Sequence, residues 1–144
     1  MPLPSHLSLE IVTPDRAVVH ETVDEAQLPG AGGYLGVLPG HTPLLVTLQV
    51  GEIWFRRGEE KTYLNVAFGF AEILPDRIRI LARLAERADE IDVSRAEAAA
   101  QRARERLAER VSDVDFERAR IALLKSLSRL QVAQRIRVRG GAPR

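Results

Sequence analysis

Apolar residues alternate with polar ones through the first half of the chain and recur every three or four positions through the second. Leu7, Leu9 and Ile11 alternate with polar neighbours and stop at Pro14-Asp15, which predicts a strand and then a turn. Val18 and Val19 sit in a second run, and Val23, Ala26 and Leu28 lie in a third that ends at Pro29-Gly30. Apolar runs at 53–55 and 63–66 flank Arg57-Gly58-Glu59-Glu60, a hairpin turn. Residues 70–74 close at Pro75-Asp76, and Arg77, Ile78, Arg79 and Ile80 then alternate strictly. This spacing predicts about seven to ten short strands in an antiparallel sandwich or barrel.

The second half changes period. Ala96, Ala99, Ala100, Ala103 and Leu107 recur at helical spacing, and so do Phe116, Ala119, Leu123, Leu127, Leu130 and Ala133. The interval 109–114 holds the break between two helices. Ser112 with Asp115 forms a capping pair for the second, and Asp92 is an N-cap or first-turn acid for the first. A break this short implies an antiparallel hairpin. Its first helix offers mostly alanine, which buries about a third to a half of the area of leucine, so the seam is weakly held. Ile121, Leu124 and Val132 fall off the main stripe of the second helix and call for another covering surface.

Punctuation and charge divide the chain at the same place. Seven of the eight prolines and eight of the ten glycines precede Asp76. Residues 1–87 carry eight Lys/Arg against eleven Asp/Glu, a net of −3, whereas residues 88–144 carry thirteen against nine, a net of +4. No acid follows Glu117, while eight basic residues run from Arg118 to Arg144, which points to an acidic partner surface. The predicted organisation is a β-sandwich over 1–87, a helical hairpin over 88–139 and a disordered tail over 140–144. With no cysteine among 144 residues, disulfides, thiolate metal sites and cysteine nucleophiles are excluded. No apolar run approaches 18 residues, so the expectation is a soluble protein with at most peripheral membrane association.

Candidate chemistry is sparse. Gly30, Gly32, Gly33 and Gly36 crowd ahead of Pro39-Gly40, but the Gly-Lys-Ser/Thr ending of a phosphate loop is missing, and so is the dinucleotide glycine spacing. The reading is a tight loop rather than a nucleotide site. His41 has no nearby carboxylate or second histidine in the sequence, and His6 and His20 are read as equally isolated from any catalytic group. Neither a catalytic nor a metal constellation emerges. A basic hairpin tracking nucleic-acid phosphates is the alternative function, but the sandwich is net acidic and the hairpin's one aromatic is Phe116. A hydrolase on a β scaffold would need a paired nucleophile and base, which is lacking.

The stretch Gly36-Val37-Leu38-Pro39-Gly40-His41-Thr42-Pro43-Leu44, with Leu48 and Gly51 after it, resembles a loop of the epsilon subunits of F-type ATP synthases (delta in mitochondrial naming). So do Gly69-Phe70-Ala71-Glu72, Ile80-Leu81, Ile91-Asp92, Val114-Asp115-Phe116 and Ser128-Arg129-Leu130, and together they span nearly the whole chain. Two positions depart from the family's habit. Phe68 stands where many members have glycine, and Tyr34 where they have an acid. The first bears on a strand bend; the second removes a charge from a rotor-facing loop.

The resemblance implies a flattened β-sandwich of about ten strands followed by a helical hairpin. It implies a non-catalytic rotor subunit on the cytoplasmic face of a bacterial plasma membrane, coupling proton-driven c-ring rotation to ATP synthesis. The sandwich would bind the gamma subunit and the c-ring, with Tyr34, Leu38, His41, Thr42 and Leu44 as contact candidates. The hairpin would inhibit ATP hydrolysis by reaching the alpha and beta catalytic subunits, with Arg118, Arg120, Lys125 and Arg129 meeting beta. No cofactor is required, but a regulatory ATP is implied by the motif Ile91-Asp92-Val93-Ser94-Arg95-Ala96, with Glu86, Lys125 and Arg129 completing the site. Arginines can hold phosphate oxygens with two parallel hydrogen bonds, and Lys125 keeps the charge but loses that fork. Against this stands the simpler role of Asp92 as a helix cap.

Overall fold

A computed structural model describes residues 2–109 and 112–140. The chain divides into two compact units, Met1–Arg87 and Ala88–Arg144. The first holds eight strands, at the lower end of the seven to ten predicted from spacing and fewer than the ten of the resemblance. They are β1 (Leu7–Val12), β2 (Ala17–Val23), β3 (Glu25–Gly30), β4 (Gly33–Val37), β5 (Leu44–Leu48), β6 (Gly51–Arg57), β7 (Glu60–Leu74) and β8 (Arg77–Arg87). The count falls short because the apolar runs at 63–66 and 70–74 belong to one 15-residue strand, β7. Val23 ends β2 rather than opening β3, and the glycine-rich stretch after Gly32 is itself a strand, β4.

The strands follow the order β2-β1-β8-β7-β5-β3-β4, with β6 paired to β3 and β7. All ladders are antiparallel except β1 with β8, which is parallel. β7 folds the sheet into two layers. Its first part pairs with β6 and its second with β5, in one register: Gly51 opposes Val66 and Leu48 opposes Gly69. The partner changes at Phe68-Gly69, where both residues have positive φ (62° and 146°). Across the same bend the buried positions of β8 pass from Ile78, Ile80 and Ala82 to Ala85. The core between the layers is made of large aliphatic side chains, with Leu7, Leu9, Ile11, Leu28, Leu48, Ile53, Leu64, Ile73, Ile78 and Ile80 all but inaccessible. Burying each stabilises the fold by about 1.5–3 kcal/mol relative to exposure.

The second unit opens with a single 3-10 turn, Ala88–Glu90, followed by α1 (Val93–Glu109) and α2 (Asp113–Gly140). Both caps form where the sequence puts them. The Asp92 carboxylate accepts the Arg95 N–H at 3.1 Å, and the Ser112 hydroxyl accepts the Asp115 N–H at 3.1 Å. The α1 seam buries Ala96, Ala100 and Ala103. The buried stripe of α2 differs from the expected one. It holds Ala119, Ser126, Val132 and Ala133, while Phe116 and Leu127 are exposed. Ser126 is accommodated because its hydroxyl donates to the Ala122 carbonyl at 2.8 Å. Gly140, assigned to the tail from sequence, is the last residue of α2; the remainder of that tail, 141–144, lies outside the described residues.

Candidate functional site

The loop between β4 and β5 is held by backbone hydrogen bonds within it and to Pro75. Gly40 has φ of 86°, its N–H donates to the Pro75 carbonyl at 2.7 Å, and Leu3 packs over it. The His41 N–H donates to the Leu38 carbonyl at 3.1 Å, and its ring Nδ1 lies 2.7 Å from the Thr42 carbonyl oxygen. His41 is therefore bound within its own loop and only partly open to solvent, while Leu38, Thr42 and Leu44 are exposed. Tyr34 belongs elsewhere. It lies near the start of β4, four residues and roughly 13 Å along an extended strand from Leu38. Its hydroxyl accepts the Glu52 N–H at 3.2 Å, and the residue is 56% exposed. The five gamma and c-ring candidates thus form a cluster of four and a separate aromatic.

The ATP candidates divide between the units. Glu86 is on β8, where its carboxylate accepts the amide N–H of the fully buried Asn65 at 3.1 Å. In the second unit Ile91 and Ala96 are buried, Asp92 caps α1, and the Arg95 side chain is exposed. Lys125 and Arg129 are half-buried on α2. A recess between α1 and α2, lined by Val93, Glu97, Leu130, Ala133 and Gln134, is about 110 Å³. Small-molecule pockets run to roughly 300–1,000 Å³, and none of the ATP candidates lines this recess.

The basic candidates on α2 are unequal. Arg120 is held by Glu117 through two hydrogen bonds of 2.5 and 3.0 Å, which raise the basicity of the guanidinium and lower the Glu117 carboxyl pKa. Arg120 is thus a paired charge rather than a free one. Arg118 is exposed and makes no ion pair among the described residues. Among the described residues no helix is long and apolar enough to cross a membrane, and no group of His, Cys, Asp or Glu is arranged to hold a metal.

An exposed apolar feature of the sandwich has no signature in the sequence. Phe70 on β7 and Leu81 on β8 are cross-strand partners, and both are more than half exposed. Beside them opens an apolar cleft of about 610 Å³ at the bend of β7, walled by Val12, Pro14, Leu48, Phe68 and Ala82, among others. The strict alternation at 77–80 does place Leu81 on the face of Arg77 and Arg79, so the orientation was legible. The cleft was not, because its walls come from four separate strands.

Two family models match in succession. The ATP synthase delta/epsilon chain β-sandwich domain covers residues 6–88, and the delta/epsilon chain long α-helix domain covers 89–134. The ATP synthase epsilon chain of Syntrophobacter fumaroxidans is 47% identical over 90% of this chain and 96% of its own length. That of Koribacter versatilis is 53% identical over 67% of this chain and 68% of its own. A chain in the Euglena gracilis mitochondrial ATP synthase OSCP/F1/c-ring assembly has the same fold, with a TM-score of 0.82 at 23% identity over 93% of this chain and 84% of that one. With both units matched in order and near-complete overlap with an epsilon chain, this chain belongs to the ATP synthase delta/epsilon family, as an epsilon subunit of the F-type enzyme.

Proposed function

We propose that the chain is a non-catalytic rotor subunit in the central stalk, whose sandwich binds the gamma subunit and whose hairpin restrains ATP hydrolysis. The observation that carries the first part is the exposed cross-strand pair Phe70 and Leu81 beside an apolar cleft, on a unit that also exposes Leu38, Leu44, Leu45 and Leu84. Exposed apolar surface of this kind marks a protein contact. The face of Phe70 and Leu81 takes gamma, and the loop bearing Leu38, His41, Thr42 and Leu44 completes the rotor contact with gamma and the c-ring. The peripheral position on the cytoplasmic face of the membrane follows from that contact.

The regulatory part rests on α2. Phe116, Leu124, Leu127 and Ile136 are exposed apolar residues on a helix whose seam partner contributes alanines. A helix held this weakly can exchange partners, and Arg118, Lys125 and Arg129 suit an acidic surface on the catalytic beta subunit. Regulatory ATP at Arg95 and Arg129 acts only through a difference in affinity between hairpin states. The present role of Asp92 as a helix cap fits either state.

One reconstitution tests both halves. Phe70→Asp is expected to weaken binding of the purified gamma subunit at least tenfold by placing a charge in a desolvated contact. Deleting residues 112–144 is expected to raise ATP hydrolysis by the assembled enzyme without loss of gamma binding. Unchanged gamma affinity in the first variant removes the sandwich face from the rotor contact; unchanged hydrolysis in the second removes the regulatory role.

A further inference from the structure

The cleft beside Phe70 is built at a cost and carries a single charge. Phe68, which forms one wall, has a φ of 62°. For a residue with a side chain, the left-handed region is unfavourable and persists only when its surroundings impose it. A glycine would make the same bend without strain, so the aromatic wall is what the strain secures. On the lip stands Arg83, the one charged residue lining the cleft. It is exposed and makes no hydrogen bond or ion pair among the described residues. Its position on β8 faces the bend, away from Glu10 and Glu72, which lie opposite Arg79 on the neighbouring strands.

We propose that this cleft reads one feature of its partner: an apolar side chain inserted against Phe68, followed or preceded by a carboxylate that meets Arg83. The inference rests on the reading that the Phe70 face docks the gamma subunit, and it names the chemistry by which that docking is selective. The apolar insertion supplies the burial. The guanidinium supplies orientation, since a carboxylate can take two parallel hydrogen bonds from it while an amide or hydroxyl cannot. The cleft lies in a unit of net charge −3, so an acidic partner segment is repelled by most of that surface and accepted at the lip of the cleft. Charge placed this way sets register and association rate.

The test titrates the full chain, with either arginine or phenylalanine altered, against purified gamma subunit at low and high salt. Arg83→Glu is expected to weaken binding roughly tenfold at low salt and to flatten or reverse the salt dependence. Arg83→Lys should recover part of the affinity by keeping the charge. Phe68→Gly relaxes the backbone and removes the wall; it is expected to keep cooperative unfolding, followed by Trp54 fluorescence, while weakening binding to a similar degree. If Arg83→Glu and Phe68→Gly bind as the parent does while Phe70→Asp still fails, the docking face stands and the proposed recognition is overturned. If Phe70→Asp also binds normally, the docking reading itself falls. Loss of binding to anionic lipid vesicles, with gamma binding intact in Arg83→Glu, likewise overturns it by assigning the arginine to a membrane surface.

Discussion

Leu9 and Ala100 each sit at the centre of a buried interface, almost wholly removed from solvent, yet they hold their surroundings by different means. In the cluster that contains Leu9 the sandwich packs leucine, isoleucine and valine from all eight of its strands, and each side chain removes a large area from water. Around Ala100 the hairpin packs alanine, one serine and one fully buried valine, so its helices gain close approach but little area. The hairpin compensates locally, with two side-chain caps and a Glu117–Arg120 pair. A body with large side chains in its core is held by the area it buries. One with a small-residue seam depends more on its caps and its ion pair. The lesson is that side-chain volume decides how far each unit relies on its interior.

The contrast can be broken most severely at the bend. A methyl at Gly69 would collide with the Leu81 carbonyl oxygen and lie 2.8 Å from the Ala82 Cα, at a φ of 146°. Gly69→Ala is expected to cost about 4 kcal/mol or more, read as the denaturant midpoint of Trp54 fluorescence in the sandwich. The next effect compares the two interiors directly. Leu9→Ala should destabilise the sandwich by about 3 kcal/mol, whereas Ala100→Gly should cost the hairpin about 1 kcal/mol through helix propensity. Equal losses, by Trp54 fluorescence and helical circular dichroism respectively, would erase the distinction. Ser112→Ala should remove about 1 kcal/mol from α2 alone, visible as lost helical signal with an unchanged Trp54 transition.

The smallest effect is electrostatic. The Asp24 carboxyl is held below its ordinary pKa of 3.8, first by the Gly58 N–H and then by His6 and Arg56. A lowered folded pKa adds stability wherever the carboxyl is ionised in the unfolded chain, and that contribution fades as pH falls below the ordinary value and through the folded one. Asp24→Asn is expected to lower Tm slightly at neutral pH and to flatten its decline below about pH 4. A parallel decline in both proteins would show that the pairing with His6 and Arg56 adds nothing to the sandwich.

Much of this was legible in the residues. Period-two alternation marked β1 and β8, and the Ser112 and Asp92 caps formed at the expected bonds. Two of the departures, in β7 and at the cleft, come from contacts between segments far apart in sequence. β7 read as two strands because a partner exchange at Phe68 interrupts its alternation without ending it. Tyr34, a candidate through the family resemblance, lies an extended strand away from His41, and its hydroxyl accepts the Glu52 N–H. On α2 the pattern gave helix but not the buried side, because leucines at Leu123, Leu124, Leu127 and Leu130 supply more than one apolar stripe. The cleft had no local signature at all.

The shared register of β7 and β8 also bears on how the chain folds. The two pair without a slip from Leu74 and Arg77 at the turn out to Leu64 and Arg87, and in doing so contribute to both layers. One tight turn at Pro75-Asp76 therefore sets the register of a hairpin that serves both layers. Ladders of this local kind close cheaply, while the parallel β1–β8 ladder joins segments from opposite ends of the sandwich sequence. Among the sheet's ladders, β1–β8 therefore closes the longest loop and carries the largest closure entropy, ahead of the non-local β3–β6 and β5–β7 ladders.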